Sequence, residues 1–553
     1  MPSFQGVTFY GPSGAFPQRF HAAHMALIPK GPYQGKVLVW DIEPIIGTPP
    51  QGQPQLGYYA YQAYSIVDPS PTIPALDVRF RNFLLPLGPV TTTSTGQYQT
   101  PGLFCAGHVH SQFGDLIVVG GTKFTTSSGG VLQLSSDLTF AFAPHLPSPD
   151  YPSYPGQPAQ YGAWLPGPPL RSSRYYPGAV LTAAMPQGRI NGKHAVLVMG
   201  GLGVPGSATQ DNYEALEVRA AAGATPGISG LYTDTFTNIA NETAEWSGPG
   251  TSPNPNLDSL IFYPRTHHLT TGNVFMSGFV QNSSTVDHVT TLWNPFPGQN
   301  TVPSGWNQIR VYGTSVRFPN IGAFDDWIVR IGGSVEISPG PPAITQTTNT
   351  VEVINAADPF AGWANTHALN RNRSQLNCVA LPDSSLLVLG GVDDQQPNPP
   401  IYQLEPELYK PGLAPPYHQW NLLPPAASVR DYHSTALLLT DGRVLVAGGE
   451  NRALNGGFDY EVFTPPYLAP PGGGVPITPQ ALSINAPNDP NGPYYTLAAN
   501  TTYAVQIAPL PLGTTVEKAV LMAPGSVTHH FDMSQRYHQM VSGQKTATSV
   551  RFT

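Results

Sequence analysis

Along most of the chain, apolar residues come in short runs that often alternate with polar ones and are broken by glycine, proline, asparagine or aspartate. That alternation has the two-residue period of strands rather than the 3.6-residue period of helices. One arrangement keeps returning: a polar or aromatic lead-in, an apolar strand, a tight turn, a second apolar strand, and often a closing Gly-Gly. It reads AHMALIPKGPYQGKVLVWD at 23–41, FCAGHVHSQFGDLIVVGG at 104–121, YYPGAVLTAAMPQGRINGKHAVLVMGG at 175–201 and FYPRTHHLTTGNVFMSGF at 262–279. YGTSVRFPNIGAFDDWIVRIGG at 312–333, RSQLNCVALPDSSLLVLGG at 373–391 and YHSTALLLTDGRVLVAGG at 432–449 complete the series. The last three glycine pairs begin at Gly332, Gly390 and Gly448, a spacing of 58, and the wider gap between Gly120 and Gly200 implies inserted loops.

A strand pair of this kind cannot bury both faces alone. Repetition near ~50 residues is the pattern of kelch-type propellers, so seven units predict a seven-bladed, all-β propeller. After the seventh unit, YEVFTPPYLAPPGGG (460–474) reads as a last strand running into a Pro/Gly linker. Beyond it, QALSINA, YYTLAANTTYAVQIA and TVEKAVLMA alternate like a small immunoglobulin-like β-sandwich. The expected division is a propeller over 1–470 and a C-terminal sandwich over 471–553.

Composition agrees with a strand-and-turn protein. Of 553 residues, 57 are glycine and 62 proline without a three-residue period, and 40% are hydrophobic. Only 10% are charged and the net charge is -8, so the chain lacks the clustered cations of a nucleic-acid surface. No apolar run approaches the ~18 residues of a membrane span. The opening MPSFQGVTFY has neither the basic start nor the apolar core of a signal peptide. Two cysteines, Cys105 and Cys378, are too few for a disulfide framework or a thiolate zinc site. Sequons at Asn241, Asn282, Asn372 and Asn500 are compatible with secretion.

The chemistry-bearing residues are concentrated in RSSRYYPGAV, VRDYHSTALLLTDGRVLVAGG, YEVFTPPYLAP and APGSVTHHFDMSQR. In content and order these stretches resemble the copper radical oxidases, the galactose oxidase and glyoxal oxidase group. The resemblance implies one copper per chain held by two histidines and two tyrosines, with one tyrosine joined to a cysteine by a thioether bond and carrying a radical. Carried over residue by residue, it gives Cys105 from FCAG, Tyr176 two positions after Arg174, Tyr432 and His433 from VRDYHS, and His529 from VTHHF. Tyr175 and His530 are the neighbouring competitors, and alternation along a strand predicts that Tyr175 and Tyr176 face opposite ways. Imidazole nitrogen and phenolate oxygen are good donors to Cu(II). Oxidising an alcohol or aldehyde removes two electrons while one copper takes one, and a sulfur-substituted phenol readily supplies the second. Tyr432 is the expected base for the substrate hydroxyl proton. Cys378, inside the alternating strand LNCVALP, reads as core packing, and His108 and His110 either line the pocket or face solvent.

Two departures from the pattern stand out. Galactose oxidase has a tryptophan stacked on its thioether shortly after a closing glycine pair, whereas this chain reads GGLGVPGSATQD. Tyr263, Tyr312 and Phe104 are the candidate replacements. Relatives also continue further beyond the last copper histidine than the 24 residues found here. Either the sandwich is reduced, the sequence is a piece of a longer one, or a second polypeptide completes it. The expected activity is oxidation of a primary alcohol or small aldehyde by O₂ with release of H₂O₂, nearer the glyoxal oxidase branch, in a secreted or extracytoplasmic setting. The alternative is a non-catalytic kelch propeller that binds protein or carbohydrate.

Overall fold

A computed structural model describes residues 3–8, 22–47, 59–69, 80–92, 94, 98–127, 130–147, 161–170, 173–182, 195–201, 213–217, 263–270, 274–281, 286–293, 310–317, 326–338, 344–356, 363–393, 400–410, 419–450, 459–468, 481–487, 497, 501–511, 516, 518–540, 542–546 and 548–552. Regular structure among them is β-strand, apart from a short 3-10 turn at Pro466–Leu468. Each of the seven repeated stretches forms an antiparallel pair, for example Gly107–His110 with Leu116–Val119 and Asn377–Ala380 with Leu386–Leu389. The strands of these two pairs are buried at every position, and Leu116–Val119 and Leu386–Leu389 accordingly read as continuous apolar runs.

The seven-bladed kelch-type propeller and the following immunoglobulin-like sandwich are not upheld. Among the described residues the strands form twelve separate sheets of two to six strands, and none closes or curls on itself. The architecture is all-β and many-sheeted. Counting repeats missed how strands distant in sequence are recruited. The sheet of His24–Leu27 and Val37–Gly47 has six strands because Ser526–Thr528 and Phe531–Asp532 join its edge. Ser3–Thr8 pairs with Asp459–Thr464 beside the seventh repeat. Other C-terminal strands separate into a four-stranded and a two-stranded sheet, Tyr503–Ile507 with Ser549–Phe552 in the first and Ala519–Met522 with Tyr537–Met540 in the second. The residues after GG at 200–201, where the resemblance calls for a tryptophan, lie outside the described residues.

Successive repeats are joined by an arginine and a glycine pair. Arg373 Nη1 donates to the carbonyl of Gly390 in its own repeat at 2.8 Å, and Gly333 of the preceding repeat donates its N–H to the Arg373 carbonyl at 2.7 Å. Arg430 repeats this with Gly448 (3.1 Å) and Gly391 (2.7 Å), and Arg174 with Gly200 (2.7 Å) and Gly121 (2.9 Å). At Gly390, φ is +63°, and an added Cβ would lie 2.6 Å from the Arg430 carbonyl oxygen. Glycine is thus required there for both backbone conformation and contact distance.

Burying a guanidinium is tolerable only with its charge paired. Arg373 meets Glu407 at 3.0 Å with neither side chain exposed, and Arg430 meets Glu461 at 3.2 Å. Glu407 also accepts the N–H groups of Asn370 (2.6 Å) and Arg371 (3.2 Å), so one carboxylate closes the whole turn. Cys378, by contrast, is packed among Val316, Leu376 and Val388. Glu407→Ala should therefore cost about 3–5 kcal/mol by stranding Arg373, against roughly 1–2 kcal/mol for Cys378→Ala. Chemical denaturation midpoints of the two variants provide the check, and a Glu407→Ala midpoint at or above that of Cys378→Ala contradicts this account.

Candidate metal centre

In several repeats, the residue leading into the first strand has left-handed backbone: Cys105 (φ 59°), Tyr176 (61°), Tyr263 (50°), Tyr312 (55°), Gln375 (56°) and His433 (64°). None is glycine or asparagine, so each costs about 1–2 kcal/mol of backbone strain, and strain of this kind concentrates at functional sites. Hydrogen bonds between repeats hold these turns. Tyr176 N–H donates to the Cys105 carbonyl at 3.0 Å, Tyr263 N–H to that of Tyr176 at 2.7 Å, and Gln375 N–H to that of Tyr312 at 2.8 Å. His529 arrives differently. It and His530 form the two-residue turn between Ser526–Thr528 and Phe531–Asp532, with φ of 45° and 69°. Such turns favour Asn-Gly, so His-His is an unusual occupant.

These turns gather the five residues singled out by the sequence. The ligand atoms of Cys105, His433 and His529 lie within 4.8 Å of one another, all buried. Cys105 Sγ is 3.6 Å from His529 Nε2, and the hydroxyls of Tyr176 and Tyr432 hydrogen-bond at 2.9 Å. The Tyr176 and Tyr432 rings lie 5.0 and 5.6 Å from that of His529, and the His433 ring 4.6 Å from it. Thr528 sets the His529 tautomer. Its hydroxyl donates to the Ala23 carbonyl at 3.0 Å and so accepts from His529 Nδ1–H at 2.7 Å, leaving the Nε2 lone pair toward Cys105. His433 Nδ1 lies 2.7 Å from Glu450 Oε1. Neither Thr528 nor Glu450 was given a role from sequence, although Thr528 lies within VTHHF and Glu450 directly follows the VRDYHS motif's closing glycines.

The neighbours resolve differently. Tyr175 does not turn away from Tyr176: the ring centroids are 3.9 Å apart. The alternation rule fails because Tyr176 is left-handed and the strand begins only at Gly178. His108 and His110 are buried and face neither solvent nor the cluster, His110 bonding Ser534 and the Leu27 carbonyl. Of the proposed replacement aromatics, Tyr263 packs 5.1 Å from Tyr176 and 4.7 Å from His529, and Phe104 lies 5.1 Å from His433. Tyr312, 45% exposed, lies 5.8 Å from Tyr432 and marks where this region meets solvent.

Electrostatics favour filling the cluster with a cation. Burial, then repulsion from Cys105 and Tyr432, pushes the Tyr176 phenol far above its usual range; burial and Cys105 do the same to Tyr432. Burial raises the Cys105 thiol as well, and burial followed by His433 keeps His529 neutral. Two imidazoles, two phenols and a thiol, largely buried, form a donor set that fits copper, and a dication would offset the cost of deprotonating the phenols. The residues present fit such a metal.

No protein-family profile matches the chain. It is 27% identical over 217 residues to galactose oxidase of Gibberella zeae, covering 38% of this chain and 28% of that protein. It is 33% identical over 135 residues to Aldehyde oxidase GLOX1 of Arabidopsis thaliana, covering 21% and 20%. The aligned parts thus span less than a third of either relative. In overall fold it is similar to a copper-bound fungal alcohol oxidase of the AA5 family, with a TM-score of 0.58, 19% identity and coverage of 99% of this chain and 92% of that one. The sequence matches and the Cys105–His433–His529 cluster together support the copper radical oxidase superfamily, the galactose oxidase-like group, without selecting a branch within it.

Proposed function

We propose that this chain is a copper radical oxidase that converts a primary alcohol or small aldehyde with O₂, giving the oxidised carbonyl product and H₂O₂. The observation that carries this reading is the gathering of Cys105, Tyr176, Tyr432, His433 and His529 into one cluster, buried except at Tyr432, which is partly exposed. Tyr176, Tyr432, His433 and His529 would hold the metal, His529 through Nε2, within residues 1–470 except for the histidine supplied from 471–553. Bound copper would supply a one-electron acceptor and a position for the substrate oxygen.

The remaining chemistry belongs to side chains. Tyr432, beside solvent-facing Tyr312, would take the substrate hydroxyl proton. Cys105 would join Tyr176, with loss of the thiol hydrogen and one ring hydrogen to O₂. The sulfur then lowers the potential at which Tyr176 gives up an electron. For an alcohol the overall change is RCH₂OH + O₂ → RCHO + H₂O₂, two electrons and two protons passing to oxygen. Small aldehydes and diols are the first substrates in this reading, with aromatic or aliphatic primary alcohols next, and the setting is extracytoplasmic.

His433→Ala should lose most copper and all peroxide release, and full metal occupancy with activity in that variant would sink the assignment. Cys105→Ala should keep copper, since four donors remain, yet lose nearly all turnover. Intact and peptide mass should show matured wild type lighter by two hydrogens at a linked Cys105–Tyr176 pair. Because burial holds both phenols protonated without metal, copper uptake should release protons and tighten as pH rises. Titrations in two buffers of different ionisation enthalpy measure that release, and pH-independent binding contradicts phenolate ligation.

A further inference from the structure

We infer that His24 is a positioning residue for Cys105, held in one tautomer by a buried chain through His108 to Ser526. The Cys105 amide donates to His24 Nε2 at 3.2 Å. A backbone N–H can only donate, so Nε2 carries no proton. Burial, reinforced by His108, keeps His24 neutral, which places its single proton on Nδ1. Nδ1 is 3.1 Å from His108 Nε2, which must therefore accept. Burial lowers His108 to about 3, so it too is neutral, and its proton lies on Nδ1 against Ser526 Oγ. The Ser526 hydroxyl in turn donates to the His108 carbonyl at 3.0 Å. Every group has one role, and reversing any link leaves two donors or two acceptors face to face.

The surroundings restrict the imidazole further. Trp40 stacks on His24 at 4.6 Å with 6° between the planes, and its indole N–H donates to the Leu103 carbonyl at 3.4 Å. The Leu103 amide is held by Gln62 Oε1 at 3.1 Å. Both ends of the short segment bearing Cys105 are thus tied to the sheet that carries His24. That sheet also pairs with Ser526–Thr528, where His24 lies opposite Thr528 and Ala26 opposite Ser526. The same network therefore reaches the residue preceding His529. It sets the left-handed Cys105 backbone and, with it, the approach of Sγ to His529 and Tyr176. His24 itself is not a metal donor, because its Nε2 is taken by the Cys105 N–H and its Nδ1 by His108.

Part of this inference rests on the proposed Cys105–Tyr176 chemistry, and part does not, so the test has two arms. In the apo protein, hydrogen exchange of the peptide containing Cys105 is compared for wild type, His24→Leu and His24→Gln. The leucine strands a buried amide, and exchange there should quicken about tenfold or more. The glutamine retains an acceptor at a similar reach and should restore most protection. In the second arm, copper-loaded, aerated proteins are digested, and the linked Cys105–Tyr176 peptide is followed in time beside copper content. His24→Leu should bind copper but link about tenfold more slowly or worse, with His24→Gln intermediate.

Unchanged Cys105 amide protection in His24→Leu overturns the inference, as does linking at the wild-type rate. If wild type never links, the oxidase reading fails, and amide exchange still decides whether His24 positions Cys105. Should His24→Leu not fold, Ser526→Ala replaces it. Loss of the chain's far end should give partial deprotection and partial slowing, and no change in either overturns the inference.

Discussion

Arg174, Arg373 and Arg430 each engage two repeats at once, the guanidinium holding the glycine carbonyl of its own repeat and the backbone oxygen accepting from the glycine pair before it. The contact works only at a distance that excludes a Cβ, as the 2.6 Å approach at Gly390 shows. Much else depends on it. The arginine stands two or three residues before the left-handed turn of its repeat, so fixing one repeat against the next also fixes where Tyr176, Gln375 and His433 point. Glu407 and Glu461 keep the charge from making the arrangement untenable in a dry interior.

The donor cluster is then a product of backbone conformation more than of side-chain reach. Regular strands would send neighbouring side chains to alternate faces. The positive φ values at Cys105, Tyr176 and His433 redirect them instead, and the His529–His530 turn does the same from the other side. Ordered hydrogen bonds compensate the strain: amide to carbonyl between repeats, Thr528 to His529, and His24 to Cys105. A flexible cluster of the same residues would offer the same donors without a definite geometry.

What was legible in sequence follows from this division. Strand pairs could be read because burial on both faces writes itself as apolar runs, and the motif around Tyr432 and His433 stands at the start of one of them. The assembly of those pairs was not legible. Periodicity near Gly332, Gly390 and Gly448 says that hairpins repeat, but not that Ser526–Thr528 joins the sheet of His24–Leu27 or that the described sheets stay open. The relation of Tyr175 to Tyr176 was misread because a period-two rule has no place for a left-handed residue. Ser526 lies in the APGSVTHHFDMSQR stretch and His24 in the first repeat, but nothing in either stretch pairs them, and their meaning appears only when some 500 positions of chain have been folded back.

That last pairing also sets an order of events. A ribosome delivers residue 24 long before residue 528, and His529 cannot take its place until some 500 residues after His24 have emerged. Ser3–Thr8 likewise waits for Asp459–Thr464. Contacts this distant are formed late and slowly. During translation Cys105, Tyr176 and His433 therefore exist without their final partner. A nascent chain with an incomplete donor set would hold a metal ion poorly, so any metal binding there waits until the surrounding protein is in place.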